Sequence, residues 1–285
     1  MTTDGGEELR IALSMRGGVS LAVWIGGAVE ELDRLTRVQA LPHGQGASAV
    51  DGKVGRGRSG YGPGVTETIP ALPAATVIVG RDGPGGIEVL FLRRSNVGAF
   101  AGMWVFPGGR VDDDDGADGD TDEERARWAA VREATEEVQL TLDPVSLAPF
   151  AHWTPPLDSP RKRFATWFFV APWAGDAATV DGHEIVDHRW VRPADALAEA
   201  LPMAPPTFVT LHQLATHATW AELAASLTTW PVERFLTRNG RQADGTNVLM
   251  WAGDAGYESG DADASGPRHR VLWAGEQPLD YQRHG

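Results

Sequence analysis

The sequence predicts an α/β fold. Two apolar runs of strand length are joined by a Gly/Pro-rich turn, a capped helix of about five turns follows, and further strand-like and helical stretches alternate after it. Ala74 to Val79 and Ile87 to Arg93 read as the first two strands, joined by Asp82-Gly83-Pro84-Gly85-Gly86. The helix is expected from about Thr121 to Val138, with Thr121 as N-cap and Glu124 three residues on, a capping box. Strands are expected at about Leu147 to Thr154, Arg163 to Ala171 and Ile185 to Val191. Pro193 to Leu201 reads as a short helix and Pro205 to Leu227 as mostly helical. Asn247 to Ala252 and Arg270 to Ala274 read as short strands around a Gly/Asp-rich loop.

Upstream lies different material. Leu9 to Met15 is a short apolar strand followed by Arg16-Gly17-Gly18 and a helical stretch to about Val38. Residues 42 to 70 are glycine-rich and poor in large apolar side chains, too little to offset ordering entropy, so they read as a flexible linker. The expected organisation is an appendage over 1–41, the linker over 42–70, a main domain over 71–252 that includes a helical extension at 193–227, and a tail over 253–285.

Composition excludes several classes. The 285 residues include no cysteine, which removes disulfide scaffolds, thiolate nucleophiles and Cys-ligated zinc. Lys plus Arg total 25 against 39 Asp plus Glu, a formal charge of −14. So acidic a surface argues against nucleic acid or anionic lipid as partner, and no stretch approaches the ~18–20 apolar residues of a membrane span. The first eight residues are acidic where a secretory signal is basic, so a cytoplasmic location is expected.

The chemistry concentrates in Phe106-Pro107-Gly108-Gly109, Glu124 and Arg132-Glu133-Ala134-Thr135-Glu136-Glu137. On a helix Glu133, Glu136 and Glu137 stand at i, i+3 and i+4 and share one face. Like charges at that spacing repel, so the stripe asks for a cation, and oxygen donors of this kind suit Mg²⁺ or Mn²⁺. Arg132 lies two turns after Glu124 and could pair with a carboxylate on the preceding turn, while the Gly108-Gly109 pair lets the backbone come close and offers a carbonyl.

These residues resemble the Nudix box, G-x5-E-x7-R-E-U-x-E-E-x-G-U with U apolar. Gly109 matches its first glycine, Glu124 and Arg132 to Glu137 its middle, and Leu140 its last apolar position. Two departures stand out. Fourteen residues separate Gly109 from Glu124, an aspartate-rich insertion of nine, and Gln139 replaces the glycine at the helix end. The resemblance implies an α/β/α sandwich with a mixed sheet and hydrolysis of a diphosphate linked to a nucleoside, with Mg²⁺ or Mn²⁺ as cofactor. It implies Glu133, Glu136 and Glu137 as metal ligands with the Gly109 carbonyl as a fourth, and Glu124 and Arg132 as residues that orient the helix and its carboxylates. For the general base it leaves Glu136, Glu133 and Glu184 open, the last because Glu184-x5-Trp190 resembles the late glutamate before the final core strand.

For substrate, Arg94-Ser95 and Gly102-x3-Phe106-Pro107-Gly108-Gly109 resemble the signature of coenzyme A diphosphatases, with one expected arginine missing. The long insertion, His152-Trp153-Thr154-Pro155, Arg163-Phe164-x-Thr166-x-Phe168-Phe169 and Leu201-Pro202-x3-Pro206-Thr207 resemble the peroxisomal acyl-CoA branch. CoA or acyl-CoA, giving 3′,5′-ADP and (acyl-)phosphopantetheine, is the implied substrate, with ADP-ribose or NADH, or a non-catalytic nucleotide-binding module, as alternatives. Arg93, Arg94, Arg161 and Arg163 are candidates for its phosphates; Trp104, Trp153, Trp167 and Phe168 could stack a base or serve as core. Leu9 to Gly27 resembles the opening of bacterial patatin-like phospholipases, yet no Gly-x-Ser-x-Gly elbow follows, so no lipase chemistry is expected. The helical stretch from Pro205 to Leu227 could cap the pocket, form a homodimer contact or simply pack as core.

Overall fold

The computed structural model describes residues 70–96, 101–157, 163–173, 175, 178–180, 183–273 and 279–285. The expected appendage (1–41), nearly all of the expected linker (42–70) and Arg161 lie outside the described residues.

Strand β1 (Leu72–Gly83) organises the main sheet, with β2 (Gly86–Arg94) folding back on it through the expected Gly/Pro turn. The first half of β1 also pairs antiparallel with β4 (Gly108–Arg110), which follows the two-residue β3 (Trp104–Val105). After helix α1 (Asp122–Val138), β5 (Ala148–Thr154) and β6 (Phe164–Pro172) form an antiparallel pair, and β6 joins β1 in parallel. Strand β7 (Ile185–Val191) pairs with β2, and β8 (Glu233–Leu236) pairs in parallel with β5. Parallel and antiparallel pairs in one sheet make it mixed.

Alternation along the strands sends side chains to two cores. Ala75, Val77, Val79, Leu90 and Leu92 pack with Ala126, Ala129, Ala130, Ala134 and Val138 of α1. The alanines let α1 approach the strands closely. On the other face Ile78, Val89, Phe91, Phe168 and Val170 pack with Val209, Leu211, Leu214 and Leu223 of α3 (Pro205–Leu214) and α4 (Trp220–Thr229), which follow the short α2 (Pro193–Ala198). Helices thus cover both faces, an α/β/α sandwich. Helix α1 starts as expected: the Thr121 side chain accepts from Glu124 N, and the Glu124 side chain accepts from Thr121 N at 2.8 Å. It ends at Gln139, whose φ of 57° is left-handed, the conformation that favours the glycine it replaces.

Several boundaries differ from the sequence reading. The stretch from Pro205 to Leu227 is two helices, because Thr219 caps a new one: its side chain accepts from Glu222 N at 3.2 Å. Its apolar positions are core, with Leu211, Leu214 and Leu223 fully buried and Trp220 and Leu227 packed against them. The boundary expected at 252/253 falls within a second sheet, an antiparallel meander of β9 (Arg238–Arg241), β10 (Asn247–Met250), β11 (Arg268–Trp273) and β12 (Asp280–His284). The expected tail therefore supplies two of its strands. Asp254 and Arg270 staple that sheet through an ion pair of 2.6 Å whose side chains are excluded from solvent.

Candidate active site

Helix α1 presents its second half to the β4 glycines. Strand β4 lies against Ala74 to Thr76, which holds Gly108 and Gly109 beside the helix. Gly108 N donates to Glu137 Oε2 at 3.0 Å. A Cβ on Gly109 would enter the Glu133 carboxylate, so any other residue there would force that carboxylate to move. Glu133 and Glu137 are both buried, and each lies close enough to feel the charge of the other or of the groups around it.

Burial dominates their ionisation. It pushes Glu133 up to about 7, against the pull of the Arg132 guanidinium, with Glu136 and Glu184 pushing the same way as burial. Glu137 is raised well above the ordinary carboxylate range by burial and then by the Glu133 charge, opposed by its bond from Gly108 and by Arg94. Glu136, by contrast, is more than half exposed and accepts from Arg132 Nη1 at 3.3 Å. Among the described residues no three acidic or histidine side chains converge on one point. Glu133 and Glu137 are the buried members of the stripe, and Glu136 stands at its solvent edge.

Arg132 organises this corner, and its bidentate partner lies outside the helix. Glu124 is occupied by Thr121 at the helix start. Instead Asp115, from the insertion, takes Arg132 in a bidentate pair, Nε to Oδ1 and Nη2 to Oδ2, both at 3.0 Å. Arg132 Nη1 also donates to Glu133 Oε1 at 2.9 Å and Nη2 to the Arg110 carbonyl at 2.8 Å. The aspartate run was visible in the sequence; that one member folds back seventeen positions was not.

The candidate phosphate arginines separate. Arg94 is buried and ion-paired with Glu184, near enough to Glu137 to influence it, so Glu184 and Arg94 both belong to this corner. Arg93, next along β2, is exposed. Arg163 is buried, with Nη1 directed at the carbonyls of Pro155 and Pro156 at 3.4 and 3.3 Å. Of the four aromatics, Trp153 stacks on Phe235 at 3.7 Å, and Trp104, Trp167 and Phe168 are also buried. They are core, and none is open to stack a base.

The NUDIX domain model matches residues 71–214, about half of the chain, and the chain belongs to that family. It is a Nudix hydrolase. Nudix hydrolases generally use divalent metals such as Mg²⁺ or Mn²⁺ and act on small nucleotide substrates. Among solved structures, a NUDIX hydrolase from Alicyclobacillus acidocaldarius is similar at 21% identity and TM-score 0.47, over 57% of this chain and 98% of its own. The NUDIX domain of Shewanella oneidensis NrtR, solved with ADP ribose, is similar at 17% identity and TM-score 0.42, over 53% and 90%. A C. elegans Ap4A hydrolase in a binary complex is similar at 22% identity and TM-score 0.38, over 56% and 100%. Comparison with curated proteins gave no match. Among the described residues no helix is long and apolar enough to cross a membrane.

Proposed function

We propose that this chain hydrolyses a diphosphate joining a nucleoside to a second moiety, with Mg²⁺ or Mn²⁺ as cofactor. The observation that carries this is the buried pair Glu133 and Glu137, set against the β4 glycines and raised in pKa by burial. Burying two carboxylates side by side is costly unless a cation joins them. The donors at hand are all oxygen, which fits a hard divalent ion. Glu133 and Glu137 would hold it, with the Gly109 carbonyl beside them and Glu136 from the solvent edge. When bound, such an ion neutralises the diphosphate and lowers the pKa of water.

The chain's own residues do the rest. Gly108 N–H fixes Glu137, and Arg132 fixes Glu133 while tethering Glu136. Exposed Arg93 is available to a phosphate of the substrate. Glu184 and Glu136 both stand outside the buried pair with carboxylates open to solvent, which favours them over Glu133 as proton acceptor; Arg94 holds Glu184 in place.

Within this class the substrate we propose is CoA or acyl-CoA. The motif from Arg94-Ser95 to Gly109 and the long insertion support that choice, and a cytoplasmic setting goes with it. The test is to incubate the full chain with Mg²⁺ or Mn²⁺ and CoA, an acyl-CoA, NADH or ADP-ribose. Metal-dependent release of 3′,5′-ADP is expected. Cleavage of ADP-ribose with CoA esters intact would overturn the substrate, and no cleavage of any would overturn the reaction.

A further inference from the structure

The aspartate-rich insertion is bound to α1 by two arginines. Arg125 donates to the main-chain carbonyls of Asp112, Asp113 and Asp115 at 2.9, 3.0 and 3.0 Å. Asp115 alone of its aspartates is buried, and besides Arg132 its Oδ2 accepts from Asp112 N at 2.8 Å. Arg132 therefore stands between Asp115 on one side and Glu133 and Glu136 on the other.

We propose that Asp115 is a positioning residue that sets the metal affinity of the Glu133–Glu137 pair, an inference that rests on the metal-site reading above. A guanidinium has five donors in a rigid fork. Two of them are spent on the Asp115 carboxylate, which fixes the plane of the fork and leaves a single nitrogen, Nη1, to touch both Glu133 and Glu136. Without Asp115 the fork is no longer pinned: Nη2 keeps only Asp112, at 3.8 Å, as a charged neighbour, and Nη1 is free to close further over the oxygens of Glu133 and Glu136. An arginine closed over those oxygens competes with a divalent cation for them.

The test measures Mn²⁺ binding to the full chain by electron paramagnetic resonance of the free ion, without substrate. Asp115→Asn, which keeps the shape but drops the charge, is expected to weaken Mn²⁺ binding about 10–100-fold, the usual cost of losing such outer support. The Mn²⁺ concentration needed for turnover should rise in step, and turnover should recover at saturating Mn²⁺, which a general loss of structure would not allow. In an Arg132→Gln background the same change should add nothing. Wild-type affinity in Asp115→Asn, or an equal loss in the Arg132→Gln background, would overturn the inference. If Asp115→Asn does not fold, Arg125→Gln loosens the same strap without touching Arg132: weaker Mn²⁺ binding supports the inference and unchanged binding overturns it. Wild-type protein that binds no Mn²⁺ would instead overturn the metal-site reading itself.

Discussion

Removing divalent cations should make the stability of this protein fall as pH rises, with Glu133 and Glu137 both contributing. The folded pKa of Glu133, about 7, lies above the ordinary glutamate value of 4.5. Stability from such a group is fully present below the unfolded value and is lost as pH climbs through the folded one. The gap corresponds to about 3 kcal/mol, a large part of the ~5–15 kcal/mol that holds a domain together. Half-buried His152 and His212 and buried His269, lowered by desolvation, act in the opposite sense as pH falls below the ordinary histidine range. Comparison with Glu133→Gln therefore cancels the histidines and reads the Glu133 charge together with its push on Glu137. Urea unfolding in EDTA between pH 5 and 8 should show wild type losing at least about 2.5 kcal/mol more than the variant across that range. Added Mn²⁺ should restore wild type at pH 8 and leave the variant nearly unmoved. Parallel pH profiles for the two proteins would refute the reasoning.

Further outcomes follow from single contacts. Gln139→Gly relieves a left-handed non-glycine at the end of α1 and should raise stability by about 0.5–1 kcal/mol in thermal melts, with turnover unchanged. Gly109→Ala drives a methyl into the Glu133 carboxylate and should abolish Mn²⁺ binding in a chain whose circular dichroism is that of wild type. Asp254→Ala leaves Arg270 buried without its partner and should cost about 3–5 kcal/mol in urea unfolding. Deleting residues 1–65, upstream of the family match, should leave hydrolysis intact; a collapse in activity would show that the appendage takes part.

What could be read from the sequence was local. The start of α1 depends on Thr121 and Glu124 three residues apart, and β7 on a run of seven, so both are visible without knowing the rest of the chain. The pattern Thr219-x-x-Glu222 carries the same capping signal as Thr121-x-x-Glu124 and marks the break between α3 and α4. Strands β9 and β12, Arg-Asn-Gly-Arg and Asp-Tyr-Gln-Arg-His, lack apolar alternation because they are the two edges of their sheet. The stripe of Glu133, Glu136 and Glu137 follows from helical period, but their burial does not. Gly109 and the strand it sits on decide that Glu133 turns inward, and Arg132 draws Glu136 to the surface. The Asp115–Arg132 pair joins residues seventeen apart through a loop, and Arg163 is buried by a turn at 155–156; no spacing rule reports either.

The most direct measurement is Mg²⁺-dependent turnover by Glu137→Gln, a change that keeps an oxygen for the Gly108 N–H and removes only the charge. Loss of at least about 100-fold in kcat, together with loss of Mn²⁺ binding, is the predicted result, since the ion supplies several kcal/mol to the reaction. Turnover within a few-fold of wild type would mean that the buried carboxylate is only a prop for the glycine turn, and that the catalytic ion sits elsewhere.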